Sequence, residues 1–497
     1  MQEANKSYNQ IFKSTSLFGG VQVLNIGIAI IRSKVVALLI GPTGMGIIGL
    51  LMSTLKVIGE FTKLGLDTTA VREIALSNTK EKDEQDVSEV IATVHKVVWF
   101  TGALGILVTI LLSPILSYLA FEDYNHTLAF IWISSSLLFN QLAVGKLSIL
   151  QGFRKLKKLA KSNLLGNFIG LLVSLPLYYI FKLDAIVPVI IATSILNFFF
   201  SWLFTRKLAY KRVNLSYKQA FQSAKGMLGF GLMLSIHGSM ALITAYVFQV
   251  YLSHVGGVAE VGFYLAGFMI INSYVGMVFN AMRTDYFPKL SGIIELKSEV
   301  DQTVSQQAVI GVLIIGPLVL TFLIFMPLII RILYSEEFLV ISDFLSWAIL
   351  GILFKTLSWS IGYVILAKSD NKLFIKTGLF FNSLLLIMNI TGYYFYGLEG
   401  VGISFLVYYV CHFIGLKIIT HNVYGLKLSK ELISIFSILT LLSFACFFVT
   451  KTIDGDILSY VLYSVLLLAS FGYSYVELNK RINFRSLLER IFKRNND

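Results

Sequence analysis

Apolar residues along the chain neither alternate nor mark one helical face. They run in blocks of roughly 20, the length a helix needs to cross about 30 Å of hydrocarbon. Fourteen blocks are centred near residues 27, 54, 101, 138, 171, 195, 238, 271, 318, 353, 385, 410, 440 and 466. The first twelve are evenly spread and the last two make a terminal hairpin. The pattern predicts an all-α polytopic membrane protein of about 14 transmembrane helices. Composition agrees: 56% of the 497 residues are hydrophobic and 14% charged, outside the range of soluble globular domains.

The N-terminal stretch MQEANKSYNQIFKSTS lacks the basic cluster, short apolar core and small-residue site of a cleaved signal, so the first span is expected to direct its own insertion. Cys411 and Cys446 each fall inside an apolar block, which argues against a disulfide framework; a metal site lacks ligands, and no cofactor is expected. The net charge of +13 invites a nucleic-acid reading, but the basic residues are distributed by topology. With a cytoplasmic N-terminus, 31 of the 41 Lys and Arg residues fall on the cytoplasmic side and only Lys182, Arg331 and Lys451 on the other. The positive-inside rule then places both termini in the cytoplasm and leaves no case for nucleic acid.

Comparing the chain with itself suggests a duplication. Gly41 and Gly46 match Gly257 and Gly262, and Pro114 with Glu122 and Asp123 resembles Pro327 with Glu336 and Glu337. Asn167, Tyr178, Tyr179 and Asp184 match Asn382, Tyr393, Tyr394 and Glu399 at identical internal spacing. Two pseudo-symmetric six-helix bundles follow, residues 10–212 and 213–425, with an accessory transmembrane hairpin at 426–476 and a basic cytoplasmic tail at 477–497. Two parallel repeats of this kind leave a central cavity between them. Lys80 to Glu89 reads as a solvated connector.

Seven cations remain within or at the ends of spans: Arg32, Lys34, Lys56, Lys63, Lys96, Lys146 and Lys355. Each costs about 2.5 to 3.5 kcal/mol near a helix centre, so they are not expected to face lipid. The one acid well inside a span is Glu60, spaced to pair with Lys56 or Lys63. Lys63 and Lys96 are close enough to the cytoplasmic ends to snorkel. Arg32 and Lys34, two residues apart, point to different sides of their helix. Arg32, Lys34, Lys56, Lys146 and Lys355 are therefore the candidate cationic cavity, a field suited to a substrate with fixed negative charge. His237, Tyr246, Tyr274, Trp359 and Tyr363 are candidates for polar and aromatic lining, and His412 is a further mid-span histidine; for each, plain helix packing is the competing reading.

KVVALLIGPTGMG (residues 34–46), LQGFRKLKKLAKSNLLG (150–166), YFPKLS (286–291) and WAILGILFKTLSWSIGYVILAK (347–368) together resemble the Wzx-type flippases of the multidrug/oligosaccharidyl-lipid/polysaccharide exporter superfamily. The resemblance covers about residues 10–420. It implies a MATE-like pair of bundles, not an enzyme, in the bacterial cytoplasmic (inner) membrane. Its cargo would be an undecaprenyl-diphosphate-linked oligosaccharide, such as an O-antigen unit of lipopolysaccharide, moved from the cytoplasmic to the periplasmic leaflet by alternating access. It also implies a polysaccharide polymerase and a chain-length regulator as partners, and basic residues at Lys34 and Lys355. A cation-coupled multidrug exporter would call for interior acids, of which Glu60 is nearly alone, and a glycan polymerase or ligase for a long outward catalytic loop, whereas the outer loops are short.

Overall fold

The computed structural model describes residues 2–78, 84–208, 210, 213–453 and 457–481, with side chains from residue 24 onward, those of residues 84, 85, 237, 273, 274, 281 and 284 excepted. The regular structure among them is entirely helical. Helices α1 (Gln2–Thr62), α2 (Leu66–Ser77), α3 (Glu84–Phe121), α4 (Thr127–Gly152), α5 (Leu156–Phe181) and α6 (Ile186–Thr205) come first. They are followed by α7 (Tyr217–Gly256), α8 (Val258–Met269), α9 (Gly276–Gly292), α10 (Lys297–Leu333), α11 (Ser342–Ala367) and α12 (Asn371–Tyr424). The last two are α13 (Lys430–Thr452) and α14 (Ile457–Arg481). A π-helical turn, Ile270–Val275, joins α8 to α9 with a bend of 43°.

Among the described residues, ten helices are long and apolar enough to cross a membrane, or up to eleven if the bent α8–α9 pair counts as one. The apolar blocks of the sequence predict fourteen. The difference lies in three apolar runs whose two blocks are joined by backbone rather than by a polar loop. α1 is broken at Gly41 (φ 63°, ψ −166°) and α12 at Tyr396 and Gly397 (φ 56°, ψ −142°), while α5 gives way to α6 through Lys182 (φ 49°, ψ −123°). Left-handed backbone suits glycine, which has no Cβ to clash. α12 folds back at its break: Ser404 Oγ donates to the carbonyl of Met388 at 2.6 Å, whereas sixteen residues of straight helix would span about 24 Å. The left-handed residues recur in register. Gly41 and Gly257, Arg154 and Ser369, and Lys182 and Gly397 are each 215 or 216 positions apart.

Two compact units result. The first holds Met1–Phe263 and Leu333–Glu337, the second Tyr264–Ile332 and Phe338–Asp497. In the first, the Leu66, Ala70 and Ile74 face of α2 packs on Val87, Ile91 and Val94 of α3 and Leu142 and Ile149 of α4, with Ala224 and Met227 of α7 closing the cluster. The i, i+4, i+8 spacing on α2 and the three- and four-residue steps on α3 mark single buried faces. Two glycine contacts bring α7 and α8 against α1. A Cβ at Gly46 would lie 1.9 Å from the Val258 carbonyl oxygen, and one at Gly262 would lie 1.9 Å from that of Pro42. Farther along, a Cβ at Gly65 would meet the Gly231 carbonyl at 2.4 Å and one at Gly231 the Leu64 carbonyl at 1.9 Å. Small residues let helices in lipid approach this closely.

In the second unit, Tyr286, Ile361, Val364, Phe381 and Tyr408 join α9, α11 and α12. The terminal hairpin docks through Leu432, Ile435 and Leu439 of α13 onto Val309, Val312 and Leu313 of α10. Lys451 pairs with Asp343 and Arg481 with Glu431, tying both ends of the hairpin.

Because the Gly46 and Gly262 contacts are with backbone, no rotamer change relieves them. Gly46→Ala and Gly262→Ala are expected to destabilise the protein by about 1 to 3 kcal/mol, the cost of overpacking. Gly27→Ala, with nothing within 4 Å of the added carbon, should be neutral. Thermal unfolding of the purified protein in detergent, followed by tryptophan fluorescence, measures all three; equal midpoints would show that α1 and α8 do not depend on this approach.

Candidate functional site

The sites of the candidate cations are set by the helices that carry them. Lys56, Glu60 and Lys63 recur at i, i+4 and i+7 near the end of α1 and share one helix face. That face lines a cavity of about 370 Å³, closed by Thr101 and Gly102 of α3, Leu137, Asn140 and Gln141 of α4, and Leu242 of α7. Gln141 donates to the Thr101 hydroxyl at 3.0 Å, fixing a polar patch opposite the lysines. Glu60 pairs with Lys63 at 2.9 Å, and Lys63 with Asp67 of α2 at 2.9 Å. Burial of Lys63, which lies just past the span, works against its charge, but hydrogen bonds to Asp67 and Glu60 outweigh it and hold its pKa above the ordinary lysine value. Lys56 is exposed to the cavity and, among the described residues, has neither a hydrogen-bond nor an ion-pair partner.

The other candidates lie elsewhere. Arg32 is turned toward α5, where its Nη2 donates to the Asn167 carbonyl at 3.2 Å while Asn167 Nδ2 donates to Asn25 at 3.1 Å. Its Nε is buried without a hydrogen bond. Lys34 donates to the carbonyl of Tyr334, one residue past α10. Lys146 of α4 meets Nε2 of His95 on α3 at 2.7 Å in a different cavity from that of Lys56. In the second unit, Lys355 donates to Asn272 Oδ1 at 3.0 Å and sits 5.4 to 5.9 Å from the ring centres of Phe279, Phe405 and Tyr409. An amide oxygen and three ring faces solvate the ammonium without cancelling its charge.

Of the aromatic candidates, Tyr246 of α7 buries its hydroxyl beside Thr54 of α1. Trp359 and Tyr363 meet edge to face at 4.8 Å and pack against Tyr286 at 5.7 and 5.8 Å, so they belong to the second unit's core. They also border a cavity of about 350 Å³ beside His412, whose ring packs on Phe381 at 4.4 Å. His237 and Tyr274 lie outside the described side chains. Asn272, His95, Asn140 and Gln141 were not anticipated. Each is an uncharged polar group inside an apolar run, and only that oddity marks it in sequence.

Solved structures share this architecture. The lipid II flippase MurJ in an inward-closed conformation matches with a TM-score of 0.66 at 15% identity, over 94% of this chain and 99% of that one. An inward-facing MATE family multidrug resistance transporter of the MOP superfamily matches with a TM-score of 0.62 at 15% identity, over 81% and 96%. An outward-facing MATE family multidrug resistance transporter of the same superfamily gives 0.56 at 14%, over 86% and 96%. At such identities the likeness is one of fold. No curated protein matches the chain in sequence. A model of one family, described as polysaccharide biosynthesis protein, matches residues 35–343. That is more than half of the chain, which therefore belongs to the polysaccharide biosynthesis protein family and shares its fold with a lipid flippase and with multidrug transporters.

Proposed function

We propose that the protein flips an undecaprenyl-diphosphate-linked oligosaccharide, an O-antigen or similar repeat unit, from the cytoplasmic to the periplasmic leaflet of the bacterial inner membrane. The observation that carries this reading is Lys56, a cation inside an apolar span that opens into a cavity without a hydrogen-bond or ion-pair partner among the described residues. A cation inside an apolar span, open to a cavity and without a fixed partner, is placed to meet an anion that arrives. A diphosphate would supply the opposite charge, while the exposed Asn140 offers an amide to a hydrated glycan. Family membership and a fold shared with a lipid flippase support the same assignment.

In this reading the chain contains two repeats of six crossings, 10–212 and 213–425. The recurrence of left-handed turns 215 or 216 residues apart supports it. Packing instead groups α7 with the first unit, so the repeat boundary is one of sequence duplication rather than of contact. If α1, α5–α6 and α12 each cross twice and α8–α9 once, the chain makes fourteen crossings and both termini are cytoplasmic. Residues 426–476 add the accessory hairpin and 477–497 the basic tail. Transport by alternating access exposes the lysine-bearing cavity to each leaflet in turn. The protein itself does no covalent chemistry, and a polymerase and a chain-length regulator would use its product.

Flipping of a fluorescent undecaprenyl-diphosphate oligosaccharide in proteoliposomes tests the mechanism. Lys56→Ala should slow flipping by about 10- to 100-fold, the worth of one charge-assisted contact, with its unfolding temperature unchanged because no partner is lost. Arg32→Ala should instead lower the unfolding temperature, since it releases the tether to Asn167. Normal flipping by Lys56→Ala would remove the cationic cavity from the mechanism. For topology, a C-terminal green fluorescent protein fusion should glow and a C-terminal alkaline phosphatase fusion stay inactive; the reverse pattern would put the C-terminus outside.

A further inference from the structure

α3 sorts its polar residues by side. Asp86 and Glu89 face a cavity shared with Arg72 and Glu73 of α2. Ser88, Ile91, His95, Lys96 and Trp99 recur at the three- and four-residue steps of another face and wall a second cavity of about 750 Å³. Lys146 of α4, Trp202 and Arg206 at the end of α6, and Tyr217 at the start of α7 complete it. Two lysines, an arginine and a histidine thus border one space, and among the described residues no Asp or Glu lines it.

Lys96 and Arg206 are held in place over aromatic rings, with no carboxylate partner among the described residues. Lys96 lies 4.5 Å over the Tyr217 ring, and the Arg206 guanidinium 4.9 Å over Trp202. Lys146 is positioned by its contact with His95 Nε2 at 2.7 Å. Ring faces orient a cation and leave its charge available. The cavity also lies at helix ends, where α6 stops at Thr205 and α7 begins at Tyr217. Trp99 is 51% and Trp202 38% exposed, and tryptophan collects at headgroup depth.

We infer that this cavity binds a phosphate ester of net negative charge, presented by a phospholipid headgroup at the membrane surface. Lys96, Lys146 and Arg206 hold the phosphate oxygens, and Trp99 and Trp202 lie along the apolar part of the lipid. The site is separate from the Lys56 cavity and holds whether or not the transport reading does.

Native mass spectrometry of the full chain in an uncharged detergent tests it, with dioleoyl phosphatidylglycerol, glycerol 3-phosphate and dioleoyl phosphatidylcholine as probes. One equivalent of phosphatidylglycerol should bind selectively, about thirtyfold more weakly in Lys96→Gln/Arg206→Gln at roughly fivefold per basic group, and unchanged in Arg72→Gln on the other face. If glycerol 3-phosphate binds with the same dependence on Lys96 and Arg206, the phosphate site stands and its source is a soluble ester rather than a lipid. Equal binding of phosphatidylcholine, or undiminished phosphatidylglycerol binding by the double variant, would overturn the inference. A second readout keeps all of the cations: the excess quenching of tryptophan fluorescence by dibrominated phosphatidylglycerol over dibrominated phosphatidylcholine should vanish in Trp99→Phe/Trp202→Phe. Its persistence would place the lipid elsewhere.

Discussion

Two backbone contacts made possible by glycine govern the first unit. Gly46 and Gly262 bring α1 and α8 within carbonyl distance, and Gly65 and Gly231 do the same for the end of α1 and α7. Lys56, Glu60 and Lys63 lie between these two clamps, so the segment that lines the cavity is pinned to α8 at one end and to α7 at the other. In lipid no hydrophobic force drives helices together, and close packing must take its place. The position of the lysines is therefore set by residues with no side chain at all.

The intramembrane cations illustrate how varied the answers to one energetic problem are. Arg32 and Lys34 are solvated by backbone carbonyls, Lys146 by an imidazole, and Lys355 by an amide and three rings. Lys63, at the end of its span, pairs with the carboxylates of Glu60 and Asp67. Neutral partners lower the cost of burial while leaving the field of each cation in place. Charge is thus distributed through the helices, with Lys56 as the position most open to a newcomer.

What could be read in the sequence was what repeats or runs. Apolar blocks are local, so the helices were legible, and so was the Gly41–Pro42 break. The pairing of Glu60 with Lys63 is also a matter of helical spacing. Partners brought together by tertiary packing left no such trace: Asn272 is 83 residues from Lys355 and His95 is 51 from Lys146. Arg206 looked like one more topological charge, because nothing local says that it will stack on Trp202 beside Lys96 and Lys146. Trp359 and Tyr363 read equally as lining or packing, and they both pack and border a cavity.

In the proposed cycle, occupancy of the cavity would have an electrical side. The formal charges of Lys56, Lys63, Glu60 and Asp67 cancel when it is empty, and a seated dianion makes it net negative. Only the occupied form would then be pushed by a membrane voltage, at about 2.3 kcal/mol per charge per 100 mV. A cell that is negative inside would drive the loaded cavity outward and leave the empty one free to return, so that the charge of the cargo itself would set the direction of the cycle.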